Sequence, residues 1–174
     1  MDQCGAAAIA RTVDNVANQQ SRPASIVASL PKAELHLHLE GSIRPDTAVE
    51  LAARHGTELT REAVLARYNY SNFMGFIETF KWITSFLRTP DDYALITRHL
   101  AEELLRQNVV YAEITISAGV MLRRMQNVAE NLEAIRETAH SVPFRRLRTA
   151  YILDRKSTRL NSSHSGESRM PSSA

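Results

Sequence analysis

AELHLHLE, residues 33–40, alternates apolar and polar side chains at every step. Successive side chains of a β-strand point to opposite faces, so this stretch predicts a strand with Ala33, Leu35, Leu37 and Leu39 on one face and Glu34, His36, His38 and Glu40 on the other. His36 and His38 are two residues apart and point the same way, a spacing at which two imidazoles can share one metal ion. The triplet alone is a weak signal. Its position strengthens it, because it lies near the C-terminal end of the strand, where parallel α/β folds place their active sites.

Further along, helical and strand patterns alternate. Pro45 suits the first turn of a helix carried by Ala48, Val49, Leu51 and Ala52, which Gly56 can end. Phe73, Phe76, Ile77, Phe80, Ile83 and Leu87 fall at helical spacing. Thr89 reads as an N-cap with Pro90 at N1 and Asp92 three residues on, opening a helix whose buried stripe is Tyr93, Ile96, Leu100 and Leu104. VVYAEITI, 109–116, reads as a strand covered on both faces. Asn127 with Glu130 opens another helix, striped by Val128, Leu132, Ile135 and Ala139, and TAYILD, 149–154, reads as a third strand. Strands alternating with helices predict crossovers and a parallel sheet, hence the α/β class.

The ends read differently. Residues 1–28 mix Ala, Asn, Gln and Ser without a sustained period and are expected to form a flexible arm. Residues 155–174 hold seven serines and almost no apolar side chains, and are expected to be a disordered tail. The wording of this tail resembles translated adapter sequence, so it is expected to be foreign to the rest. Residues 29–154 would then be the structured domain.

The whole chain carries a formal charge of +2, but the tail supplies four basic residues and one acid. Without those five charges, residues 1–154 hold 17 basic and 18 acidic residues, net −1, so the charge gives no reason to expect nucleic-acid binding. Cys4 is the only cysteine, which excludes an intrachain disulfide and a Cys-pair zinc site and fits a cytoplasmic setting. No signal peptide or membrane span is readable.

LPKAELHLHLEGS, 30–42, resembles the opening motif of the adenosine deaminase family, usually P-K-x-E-L-H-x-H-L-[DE]-G. FIETFKW is similar to that family's hydrophobic lid helix, and NVVYAEITIS to its second barrel strand. The resemblance covers about Leu30 to Asp154. It implies a partial TIM-type (β/α)₈ barrel, of which three strands are readable here, in a hydrolase of purine metabolism. It also implies one Zn²⁺ per complete subunit, held in part by His36 and His38, with His38 also near the bound purine nucleoside and Glu40 at a sugar hydroxyl. The family's remaining ligands and its proton-shuttling Glu have no matching positions in this sequence. By this resemblance the chain is expected to be an N-terminal fragment without catalytic activity of its own.

Several alternatives stay open. Glu40 is a sugar-binding acid or a solvated charge at the strand end. Phe76, Ile77 and Phe80 line the purine pocket or belong to the core. Glu113 is hydrogen-bonded structure or a support of the site, and Tyr111 and Trp82 read as packing residues. The substrate is adenosine or a related purine: adenine, aminodeoxyfutalosine or an N6-substituted AMP. The rival readings are a non-catalytic, oligomerising remnant, and a compact metal module in which His99 or His140 joins His36 and His38. The sequence does not give the oligomeric state.

Overall fold

A computed structural model describes residues 26–155. The expected arm and tail fall almost wholly outside the described residues. The described chain is α/β: three parallel strands in the order β1-β2-β3, formed by Lys32–His38, Val109–Ile116 and Arg148–Leu153, with helices in both crossovers. This arrangement matches part of a TIM-type barrel. Helices α1 (Pro45–Arg54), α2 (Arg61–Tyr68), α3 (Phe73–Ile83) and α4 (Pro90–Arg106) lie between β1 and β2, and α5 (Ala118–Arg123) and α6 (Val128–Ala139) between β2 and β3. Among the described residues no helix is long and apolar enough to cross a membrane.

Local chemistry sets the helix ends. At α4, Pro90 occupies the first turn, and Thr89 and Asp92 form a reciprocal capping box. Asn127 caps α6 by accepting from the amides of Ala129 and Glu130. Past α1, Gly56 adopts φ +69°, the left-handed conformation that stops a helix at little steric cost in glycine.

The core lies where α4 packs on β2 and against α1 and α6. It joins Leu51, Tyr93, Ile96, Leu100, Ile114 and Ile135, each at most 8% exposed. Fully burying such a side chain contributes about 1.5–3 kcal/mol. The expected stripe of α4 is buried throughout; in that of α6, Ile135 and Ala139 are buried while Val128 and Leu132 are partly so.

β1 departs from strict alternation. Its register against β2 shifts between Lys32 and Ala33 and again between Glu34 and Leu37, and the strand ends at His38. Of the expected apolar face, Leu39 is fully buried and Leu37 partly, while Leu35 is 61% exposed and Ala33 exposed. The two register shifts move the side chains of β1 off a strict two-residue alternation. The Lys32 ammonium secures its start by donating to the carbonyls of Ala28, Leu30 and Gln107 at 2.8–3.1 Å.

Candidate active site

All three strands deliver residues to one cavity of about 500 Å³ at their C-terminal ends: His36 and His38 from β1, Ser117 after β2 and Asp154 after β3. The strand ends are tied together by backbone hydrogen bonds, Leu39 N to Thr115 O at 3.0 Å and Asp154 N to Ile116 O at 2.9 Å. The rings of His36 and His38 lie with centroids 5.5 Å apart, tilted by 41°.

Phe76, Ile77 and Phe80 of α3 line the same cavity. None of the three belongs to the buried core; α3 buries only Thr79 and Ile83, and Phe76 is 38% exposed. The aromatic rings of Phe76 and Phe80 stand 6.2 Å apart. Trp82, two residues on, is a packing residue as expected, set edge-on to Phe86 at 5.4 Å with the Arg67 guanidinium 5.0 Å over its ring.

Glu40 is not a solvated strand-end charge. The chain turns inward after His38 into a single 3-10 turn, Glu40–Ser42, and leaves Glu40 1% exposed. Its Oε1 accepts a hydrogen bond from the Ser117 amide at 2.9 Å, while Oε2 has no hydrogen-bond partner among the described residues. Burial pushes this carboxyl above the usual carboxylate range, outweighing its hydrogen bonds, and the charge of Asp154 adds to the rise. Glu40 faces a smaller cavity of about 130 Å³, lined also by Tyr68 and Tyr70, which shares Gly41, Phe76 and Phe80 with the larger one. Glu113 is half-buried and accepts from the Tyr111 hydroxyl at 2.9 Å.

The other described histidines are engaged elsewhere. His55 meets Asp92 at 2.9 Å, His99 meets Thr47 at 2.8 Å, and His140 meets the carbonyl of Arg136. Among the described residues no three of His, Cys, Asp or Glu group as a metal site. This overturns the compact metal module with His99 or His140, since each is held by partners on its own helix or on α1. Two imidazoles at a cavity wall fit two corners of a tetrahedral zinc site, and only two.

Ser117, Lys81, Arg123 and Asp154 also line the cavity; Lys81 and Ser117 lie within FIETFKW and NVVYAEITIS, but no residue pattern marks any of the four as a site residue. They come from four separate places in the chain and meet only through the fold.

Comparison with known proteins agrees with this geometry. A family model described as adenosine deaminase matches residues 31–153. The chain is 38% identical over 120 residues to an aminodeoxyfutalosine deaminase of Streptomyces avermitilis, covering 67% of this chain and 34% of that protein. It is 38% identical over 91 residues to an adenine deaminase of Zymomonas mobilis, covering 51% and 27%. Among solved structures it is similar to a zinc-bound amidohydrolase from Burkhoderia ambifaria, at 28% identity and a TM-score of 0.62, over 74% of this chain and 36% of that one. The chain thus spans about a third of the length of the curated relatives it matches.

Proposed function

Since the chain belongs to the adenosine deaminase family, we propose that it supplies the first three strands of a zinc-dependent hydrolase that removes the 6-amino group of a purine, with adenosine as substrate. The observation that carries this reading is the convergence of His36 and His38 with the apolar wall of Phe76, Ile77 and Phe80 on one cavity at the C-terminal ends of parallel strands. In this reading residues 29–154 are part of the barrel domain.

His36 and His38 would hold the zinc ion as two of its ligands. When bound, zinc supplies Lewis acidity that brings the pKa of a neighbouring water toward neutrality. The imidazole nitrogens of His36 and His38 would donate lone pairs to the ion, and its remaining ligands would have to come from outside the described residues. The Phe76, Ile77 and Phe80 wall excludes water and offers flat apolar surface to a purine ring. Glu40 offers a buried, unpartnered Oε2 to a ligand hydroxyl. That atom accepts a hydrogen bond when the carboxyl is ionised, and donates one if it carries the proton that burial favours.

A second reading, aminodeoxyfutalosine as substrate, is favoured by the relatives of that name, which match over 120 and 116 residues. The test is a chimera in which residues 31–153 replace the matching part of the Streptomyces avermitilis relative. Ultraviolet absorbance would follow deamination of adenosine, adenine and aminodeoxyfutalosine. Zinc-dependent loss of the amino group from adenosine supports the first reading, activity confined to aminodeoxyfutalosine supports the second, and a folded, zinc-loaded chimera inert to all three contradicts both.

A further inference from the structure

Ser117 lies just past the end of β2, in backbone that is held on three sides. The Thr115 carbonyl accepts from the Leu39 amide at 3.0 Å, the Ile116 carbonyl from the Asp154 amide at 2.9 Å, and the Ser117 carbonyl from the Val120 amide at 2.8 Å. The Ser117 amide is thereby aimed at Glu40 Oε1, 2.9 Å away. Glu40 is pinned from its own side as well. It stands in a 3-10 turn that the Ser42 amide and hydroxyl close on the Leu39 carbonyl, at 3.2 and 2.7 Å. With one oxygen held and the backbone fixed, the place of Oε2 is set, and that atom is buried without a hydrogen-bond partner among the described residues.

The Ser117 hydroxyl has no duty in the helix that follows. A serine in that position ordinarily turns its hydroxyl onto the first amides of the helix, yet Ser117 makes no such cap on α5. The residue is 2% exposed and lines the larger cavity. Burial pushes the Glu40 carboxyl up, and against burial act Glu40's own amide and then both the amide and the hydroxyl of Ser117. One residue thus grips the acid with its backbone and its side chain together.

We propose that Ser117 is a positioning residue, which aims Glu40 Oε2 at a sugar hydroxyl and so helps the site to prefer a purine nucleoside to the free base. This rests on the reading of Glu40 as the acid that meets that hydroxyl. The effect of Ser117 passes through Glu40.

The test is calorimetric titration of the full 174-residue chain with adenosine and with adenine, in the parent and in Ser117→Ala, Glu40→Ala and the double variant. Ser117→Ala keeps the amide and removes the hydroxyl. It should weaken adenosine about fivefold and leave adenine unchanged. In the Glu40→Ala background it should add nothing, because two residues that act through one contact are not additive. If Ser117→Ala weakens both ligands equally, leaves adenosine unchanged, or adds its full loss to that of Glu40→Ala, the proposal is overturned and the reading of Glu40 stands. If Glu40→Ala binds adenosine as tightly as the parent, or the parent binds neither purine, the reading of Glu40 falls and the proposal falls with it.

Discussion

The Ser117 amide donates a buried hydrogen bond of 2.9 Å to Glu40 Oε1, joining the turn after β1 to the end of β2 across 77 positions of sequence. The bond fixes the carboxyl at the wall of the smaller cavity. Because burial raises its pKa, the folded chain holds this proton more tightly than the unfolded chain does. The resulting stabilisation is fully present below the ordinary value of 4.5 and is lost as pH rises through the raised folded value. Glu40→Gln removes that titration. Urea unfolding should show the parent chain losing stability relative to the variant as pH climbs from 4.5, and two curves of the same shape would contradict the buried-carboxyl account.

Asp92 has the opposite sign. Burial pushes its carboxyl up, but hydrogen bonds from the amides of Arg88 and Thr89, from His55 and from the Thr89 hydroxyl outweigh burial and hold it below its ordinary value of 3.8. Its stabilisation is present above that value and lost as pH falls through the depressed folded one. Asp92→Ala removes the acceptor shared by four donors at the start of α4. It should cost about 1–3 kcal/mol at neutral pH. Denaturation that shows no loss, or an equal loss at every pH, would count against this role.

Gly56 has open space where a side chain would begin, yet sits at φ +69°. Gly56→Ala should therefore destabilise through backbone strain alone, by about 1 kcal/mol, and Gly56→Asn by less. Equal melting temperatures for the parent chain and the Ala variant would contradict this.

Much of the fold is legible in the residues themselves. β2 reads at its full length because a covered parallel strand is nearly apolar throughout, Glu113 excepted, and α4 reads from its cap. α2 escapes notice because it buries only Val64, leaving no stripe, and α5 because six residues are too few for a period. The register shifts of β1 are invisible in the sequence because its residues alternate cleanly, and pairing with β2 sets the register. In the site, His36, His38 and Glu40 stand in one motif, and α3 declares its apolar surface. Lys81, Arg123, Ser117 and Asp154 acquire meaning only when the ends of α3, α5 and the strands come together.

The central claim is that His36 and His38 are zinc ligands while Glu40 serves the substrate. The most direct measurement is zinc content and adenosine turnover, taken together, in the chimera carrying residues 31–153 and in its His36→Ala and Glu40→Gln variants. The account predicts that His36→Ala loses bound zinc and at least about a hundredfold in activity together, whereas Glu40→Gln keeps its zinc and raises KM. Equal zinc loss in both variants, or full zinc and full turnover in His36→Ala, would contradict it.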